Sequence, residues 1–461
     1  MEFGSFPAGL AYNIKSLSGF SKSAVRLTPD KYDSIKPGDT IRVALPSNTI
    51  VSLDSLCMYY EGIGDTNCHF PRNTSSMIKT LSIFVNGSLI ERIDNYSVLA
   101  NRLIDIDGCG SDQIAKRFLE NADPSVYYET SITSSSVATG VFKITAAGAE
   151  VKRKYAITSW LGFISSASTR YIDTNDLGKV EIEITFENAN VMWQKQQLTP
   201  VVGGYTLSDV HFMINKVVFN DPMYYNLKAA KLLSSGLSLS YQTYIASKGS
   251  LATKTSSFNV FTNINTTSLD QLIACFTPED QTTSNLLLNG HWTTAGTGAL
   301  PFQNVISLAT HTNDTAGGVT GAGGYFNQSR FFRSDACGLT SSSWEINNTP
   351  IIAAPLSDYE VYNETLIALG HNHIDNGISV HPGLNSLAAF LKYYFIHICS
   401  LEMINPGSGG WKTGLDGRSS SLNIVYKAVF GGSADKITPY IFAKTTRILQ
   451  INEGHSISVI V

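Results

Sequence analysis

The sequence is poor in charge, and this limits the partners that it can bind. Charged residues make up only 15% of the 461 residues, the formal net charge is −4, and the one dense basic cluster is Lys152-Arg153-Lys154. A protein that neutralises phosphates along a nucleic acid needs many more basic residues. We interpret this cluster as a solvated loop or strand end, and the sequence predicts no sequence-specific binding of nucleic acid.

Cysteine is scarce and shows no pattern typical of metal ligands. The six cysteines include no CxxC pair, and their spacing fits no zinc site. Cys57 and Cys275 lie in apolar strand patterns, which favours small buried side chains. We therefore expect mostly free thiols and a protein that folds inside a cell.

Targeting and membrane-spanning segments are not evident. The start, MEFGSFPAGLAYN, lacks a cationic stretch followed by an apolar block, so no signal peptide is predicted. The best candidate for a span, residues 387–404, is interrupted by Lys392 and His397 and is rich in aromatic and β-branched residues. This composition favours buried strands, and the sequence predicts a soluble protein.

Common catalytic motifs are also missing: there is no GxSxG, GxxxxGK[ST], HExxH or strand-associated GxGxxG. The strongest candidate is HNHID, in which His371, His373 and Asp375 are possible metal ligands, as in a cupin. A cupin also has a Glu shortly after the pair, and this sequence has none there. We interpret HNHID as a structural loop and expect no catalytic, cofactor-binding or metal-binding residues. A glycosidase-type pair of carboxylates stays open, because the spacing of Asp and Glu alone does not define one.

What the sequence has in abundance is strand patterning. Apolar residues reach 43%. Helical periodicity is convincing only at 95–106, 111–121 and 222–233, where Pro222 suits a first turn. Many strands separated by Gly, Pro and Asn turns indicate β-sandwiches or barrels. Alternating or β-branched runs occur at 40–45, 49–60, 79–85, 141–147, 179–186, 209–219, 236–246, 257–264, 391–404, 422–430, 447–451 and 456–461.

The chain also repeats itself in the same order. SLDSL (52–56) returns as SLDQL (268–272), the turn at Asn86 returns at Asn348, and the Asp/Gly turn at Asp176 returns at Asp416. Each turn in the last two pairs adjoins an alternating strand, and Asn-Gly between apolar residues is a strong hairpin signal. Three collinear pairs predict a tandem duplication.

The spacings of these pairs differ, which places insertions in each copy. The second copy gains residues at about 277–343, and the first gains residues at about 107–154. Both stretches are rich in Gly, Ser, Thr and Asn, as long surface loops are. The Pro- and Gly-containing segment 196–207 is the predicted linker. We therefore predict an N-terminal arm at 1–24, a first domain at 25–199 and a second at 200–461.

Three segments resemble the double jelly-roll major capsid proteins of icosahedral DNA viruses, and most of all those of virophages and polinton-like viruses. Residues 78–106 are similar to the strand, turn and helix of the family's first roll. Residues 256–280 are similar to the opening strands of its second roll, and 390–430 with 439–454 to its closing strands. The resemblance implies an all-β fold of two tandem eight-stranded antiparallel jelly rolls, with a few short helices and long loop insertions.

The resemblance also implies a function. Members of this family form homotrimers, and two rolls per chain give a pseudo-hexagonal capsomer that tiles the capsid of the virion. Contacts between trimers, and with penton and minor capsid proteins, are expected, with the insertions on the outer face and no enzymatic activity. Two alternatives remain at this stage: a secreted β-sandwich adhesin or lectin-like binding protein, and a cupin-like or carbohydrate-active enzyme.

Overall fold

A computed structural model gives the fold of the chain. It describes residues 20–460 with the exception of 65–67, 72, 108–150, 196–203, 220–221, 254–256, 279–325, 328–335, 370–386, 388–389, 392–393, 403–413, 419–420, 432–435 and 453–455. Most of the predicted insertions, the predicted helix at 111–121, the predicted strand at 141–147 and the HNHID motif lie outside the described residues.

The described part of the chain is mainly β-structure. Its strands up to the connecting helix are β1 (Phe20–Leu27), β2 (Thr40–Ala44), β3 (Ile50–Gly64), β4 (Cys68–His69), β5 (Ile78–Val85), β6 (Ser88–Ile93), β7 (Val151–Ile157), β8 (Tyr171–Asp173), β9 (Val180–Phe186), β10 (Trp193–Lys195) and β11 (Tyr205–Phe219). Those after it are β12 (Leu237–Lys248), β13 (Ala252–Thr253), β14 (Ser257–Ile264), β15 (Leu269–Pro278), β16 (Phe326–Asn327), β17 (Leu339–Ile346), β18 (Thr349–Pro350), β19 (Leu356–Ser357), β20 (His397–Ser400), β21 (Leu422–Phe430), β22 (Lys436–Ile451) and β23 (Ile457–Ile460).

The helices are short and lie between strands. They are α1 (Tyr96–Asp107), α2 (Phe163–Ser166), α3 (Thr174–Leu177), α4 (Pro222–Ser235) and α5 (Asp358–Ala368), with 3-10 turns at Thr74–Met77 and Ala189–Val191. The predicted helices at 95–106 and 222–233 are confirmed as α1 and α4. The helix α5 was not predicted. None of the helices in the described ranges is long and apolar enough to cross a membrane.

The first half of the chain forms one antiparallel jelly roll of two facing sheets. Sheet A has the strand order β1-β11-β3-β7, with β8 beside β3, and sheet B has the order β2-β9-β5-β6. Alternation determines which side chains face the core: in β9, Val180, Ile182, Ile184 and Phe186 are buried, while the residues between them are partly exposed.

The second half repeats the strand order of both sheets. Sheet A′ has the order β12-β22-β15-β20, with β13 and β23 beside β22, and sheet B′ has the order β14-β21-β17-β18, with β19 beside β17. Each of the four strands in the orders of sheets A and B thus has a counterpart at the same position in sheets A′ and B′, while β8 has none among the described strands. The predicted fold of two tandem eight-stranded antiparallel jelly rolls is confirmed.

Two predicted domain limits differ from the strand pairing. β11 lies after the predicted boundary between residues 199 and 200, yet it pairs with β1 and β3 of the first roll. The Pro/Gly segment 196–207 therefore leads into the last strand of the first roll, and α4 connects the two rolls. The predicted arm at 1–24 is also too long, because Phe20 to Ala24 already belong to β1 and pair with β11.

The repeated pentapeptide occupies equivalent places in the two rolls. SLDSL lies in β3 and SLDQL begins just before β15, and these strands are counterparts in sheets A and A′. Leu56 and Leu272 are each 0% exposed, and Leu53 and Leu269 are likewise buried. In both strands the pairing register with a neighbouring strand shifts at this pentapeptide. The predicted equivalence is confirmed.

The repeated asparagines lie in equivalent turns but one position apart: Asn86 is the first of two turn residues and corresponds to Asn347, whereas Asn348 is the second. Asn86 lies in the turn between β5 and β6, and Asn348 in the turn between β17 and β18. Both have positive φ, +49° and +64°, a conformation that Asn adopts more readily than most residues.

The long insertions leave both rolls at the same end. Consecutive strands of a roll run in opposite directions, so their connections alternate between two ends. The β6–β7 connection contains the first insertion and the β15–β17 connection the second, and both belong to the end that we call the loop end. A small sheet, β16-β10-β4, joins loop-end connections of the two rolls. The loop ends therefore lie side by side.

Candidate functional site

The two rolls of one chain pack against each other through polar and apolar contacts, and we call this contact region the junction. The outer face of sheet A′, which points away from the core of the second roll, is covered by β6, α1 and α2 of the first roll. In β15 this face presents Ile273, Cys275 and Thr277, and each is 1% exposed or less.

Hydrogen bonds fix the position of this junction. Arg102 of α1 is 2% exposed, and its Nη2 donates to the carbonyl oxygen of Phe276 at 3.0 Å. The hydroxyl of Tyr241 donates to the carbonyl oxygen of Ile90 at 2.8 Å. The hydroxyl of Ser166 accepts from the amide of Gln242 at 2.8 Å. A charged donor from α1 and two neutral donors from β12 thus hold one roll against the other.

A buried carboxyl lies at the centre of the junction. Glu91 of β6 is 1% exposed, and its Oε2 accepts a hydrogen bond from the amide of Phe163 at 2.9 Å. Burial raises the pKa of Glu91 to about 7, although the Phe163 amide, the Thr243 hydroxyl and the charge of Arg447 each act to lower it. Glu91 forms no ion pair with any residue in the described part of the chain.

The corresponding surfaces are open elsewhere on the chain. The outer face of sheet A, equivalent to the covered face of sheet A′, presents Cys57, Tyr59 and Glu61 from β3, and all three are half-buried. Tyr59 stacks on His211 of β11, with the ring centres 5.5 Å apart. This face is therefore only partly covered, whereas its counterpart in the second roll is buried.

The helix α5, which follows β18 and β19 as α1 follows β6, is also open. In α1, Leu99 and Ile106 are each 1% exposed, whereas in α5 Tyr359 and Ile367 are 60% and 50% exposed. A capping box holds the start of α5, because Glu360 accepts the amide of Ser357 at 2.7 Å. The helix is thus well formed but covered on one side only.

A second polar cluster lies inside the second roll. The Nδ1 of His397 lies 3.2 Å from the hydroxyl of Ser342 and 3.1 Å from that of Tyr426, and its Nε2 lies 2.8 Å from Oε2 of Glu364. The order Ser–His–Glu is that of a hydrolase triad. Ser342 is only 2% exposed and His397 is 0% exposed. A substrate carbonyl cannot reach this buried hydroxyl. The cluster instead anchors α5 to β20, because Glu364 lies in α5 and His397 in β20.

The residues singled out by sequence do not come together. HNHID lies outside the described residues, and its interpretation as a structural loop stays a prediction. In the part of the chain that the structure describes, no three His, Cys, Asp or Glu residues are placed to hold a metal. Cys57 and Cys275 lie on equivalent strands and neither forms a disulfide bond with a described residue, but of the two only Cys275 is fully buried. Lys154 of the basic cluster is 80% exposed, as interpreted, but it lies in the middle of β7 rather than in a loop or at a strand end.

Sequence reasoning missed Glu91 and Arg102. SLIERI reads as an alternating strand in which Glu91 would face solvent opposite Ile90. A register shift at this point turns both side chains inward: Ile83 pairs with Glu91 and Phe84 with Leu89, which leaves Ile90 between them. Nothing local in the sequence marks this bulge. The capping box at Ser357 and Glu360 was a usable signal for α5.

No protein-family model matches the chain, and no curated protein matches it by sequence. Its structure is similar to that of the PBCV-1 virus capsid protein, with a TM-score of 0.59, 10% identity, and 96% and 97% of the two chains covered. The Faustovirus major capsid protein matches with a TM-score of 0.54, 9% identity and coverage of 94% and 90%. The mavirus major capsid protein matches with 0.50, 9%, and 95% and 90%. The chain therefore has the double jelly-roll fold found in these viral capsid proteins.

Proposed function

We propose that this chain is the major capsid protein of an icosahedral DNA virus, located in the virion, and that three copies form a pseudo-hexagonal capsomer. The fold supports a capsid protein, because it is similar over nearly its whole length to three of them. The observation that carries the proposal is the complementarity between the junction inside the chain and the two surfaces that stay open.

The duplication makes these surfaces equivalent in pairs. Inside one chain, β6, α1 and α2 of the first roll cover the outer face of sheet A′. The second roll has counterparts of the covering elements in β18 and α5, and these are partly open. The first roll has the counterpart of the covered face in sheet A, and this is partly open too. The open surface of the second roll in one chain therefore complements the open surface of the first roll in another chain.

This complementarity favours a closed ring of identical chains. If α5 of one chain packs on sheet A of the next, the contact is head-to-tail and repeats the internal junction. Repeated head-to-tail contacts form a closed ring when the rotation between neighbouring chains is a whole fraction of a full turn. Three chains then supply six similar rolls around one axis. The exposed side chains of Tyr359 and Ile367 and the half-buried side chain of Tyr59 then become buried in the contacts between chains.

The arrangement of the ends supports a shell. The two insertions leave the same end of the two rolls, so a ring places all of them on one of its faces. We assign that face to the outside of the capsid. Contacts between capsomers, and with penton and minor capsid proteins, are part of this proposal, whereas enzymatic activity and sequence-specific binding of nucleic acid are not.

Light scattering on the purified protein tests the ring. Three chains of 50.0 kDa give a particle of about 150 kDa. Tyr359→Glu places a charge in the proposed contact and is expected to shift the protein towards 50 kDa chains while the circular dichroism spectrum stays unchanged.

Phe261→Glu is the matched control. Phe261 is another exposed aromatic residue, 62% exposed, but it lies on β14 in sheet B′, away from both open surfaces. It should leave the trimer intact. A wild-type protein that stays monomeric at all concentrations, or equal effects of the two variants, would contradict the proposal.

A further inference from the structure

The carboxyl of Glu91 is enclosed by groups from both rolls. The first roll contributes the Phe163 amide and Gly162, whose backbone lies so close that an added Cβ would come within 2.4 Å of Oε1. The second roll contributes the Thr243 hydroxyl and Tyr241, whose ring packs edge-on against Phe163 with the ring centres 5.2 Å apart. Oε1 accepts no hydrogen bond from the described residues. The carboxyl has no room for a hydrating shell while the rolls stay together.

The ionisable groups around Glu91 offset a negative charge only in part. Arg447 of β22 acts on it electrostatically, but it forms no ion pair with Glu91, and its Nε has no hydrogen-bond partner among the described residues. Tyr241 from β12 and Tyr96 from α1 both have a raised pKa, chiefly through burial, so they are neutral there. Arg92, the next residue in β6, is exposed and is paired with Asp94.

A buried carboxylate with one amide donor, one neighbouring hydroxyl and no ion pair is costly, whereas the neutral acid fits the same space. We propose that Glu91 is a proton-binding site that links the packing of the two rolls to pH. Glu91 carries a proton while the junction is closed, and loss of that proton loosens the junction between β6 and sheet A′. The link works within one chain, so it does not depend on the trimer.

The direction of the effect follows from the two states. In the unfolded chain Glu91 ionises near its ordinary pKa of 4.5, and in the folded chain burial raises this pKa to about 7. The folded state therefore holds a proton that the unfolded state releases between these values. Stability is greatest below about pH 4.5 as far as this group is concerned. It falls as the pH rises towards 7 and then stays level.

Glu91→Gln tests the proposal, because the amide has nearly the same shape and cannot ionise. Between pH 5 and 8 the thermal midpoint of the wild type should fall more steeply than that of the variant. Unfolding at pH 6 should release about one more proton per chain from the wild type, as measured by calorimetry in buffers of different ionisation enthalpy. Equal pH dependence of the two proteins overturns the proposal.

A second measurement remains decisive even if the variant folds poorly. At pH 6 the wild type should show the infrared band of a buried protonated carboxyl, and this band should decline as the pH rises through 7. Glu183→Gln is the control, since Glu183 pairs with Arg42 on the outer side of sheet B and should not change the band. A wild type without a band that titrates near neutral pH contradicts the proposal. Hydrogen exchange at the Phe163 amide, corrected for the intrinsic rate, should accelerate above neutral pH.

Discussion

The guanidinium of Arg102 donates to the carbonyl oxygen of Phe276, 174 positions along the chain and in the other jelly roll. The same guanidinium also donates from Nη1 to the carbonyl of Val98, one turn earlier in its own helix, at 3.0 Å. One side chain therefore ties the direction of α1 to the outer face of sheet A′.

Replacing this side chain tests how much the tie contributes. Arg102→Met keeps the aliphatic part and removes both donors, which leaves two buried carbonyl oxygens without them. We expect a loss of about 1.5–3 kcal/mol in the free energy of unfolding, measured with denaturant. Arg92→Met is the control, because Arg92 is 58% exposed and its pairing with Asp94 should contribute under about 1 kcal/mol. Equal losses would show that the tie contributes little.

Leu56 and Leu272 are equivalent core residues of the two rolls. Truncation of either to Ala removes buried methyl groups and leaves a cavity, which costs about 2–5 kcal/mol. The two variants should lose comparable stability, each through its own roll, in denaturant unfolding followed by hydrogen exchange of each half. Leu89→Ala, at a site that is 49% exposed, should change the stability by less than about 0.5 kcal/mol.

We predict that the second insertion does not contribute to the packing of the core. Deletion of Thr310–Gly324, which lie outside the described residues, should leave folding and trimer formation unchanged, because loop length adds little to the cost of closure. Solubility, thermal midpoint and light scattering measure the outcome. Loss of soluble protein would assign this segment a structural part.

HNHID is predicted to bind no metal. Replacement of His371 and His373 by Ala should leave the thermal midpoint and the mass of the particle nearly unchanged. Elemental analysis of the purified wild type should find no stoichiometric metal. Stoichiometric metal that disappears in the double variant would instead favour a cupin-like site.

Local signals explain how much of the fold could be predicted. Asn-Gly turns and strict alternation act over a few residues, so the hairpin at Asn86 and the duplication itself were visible in the sequence. The assignment of β11 was not, because it depends on pairing with β1, almost 200 positions away. The Pro/Gly segment at 196–207 was interpreted as a linker, but it precedes the last strand of a roll.

The junction could be predicted even less well. Its covered face consists of apolar strand residues such as Ile273, and the sequence does not show which elements cover them. Glu91 depends on a bulge that the sequence does not show. Apolar side chains on both faces of β15 were a usable sign, since a strand that is apolar on both faces is buried on both.

The helix α4 has a consequence for how a ring would form. It is anchored to the first roll by Lys228, whose Nζ lies 2.6 Å from Asp173 and 3.1 Å from Asp176, and it leads directly into β12. Because α4 joins the two rolls in one chain, each half of the internal junction has an effective concentration relative to the other half. This concentration reaches the millimolar range for short linkers. In a ring of three chains, half of the six junctions then form at a rate that dilution does not change, and only the other half respond to the amount of protein that the cell makes.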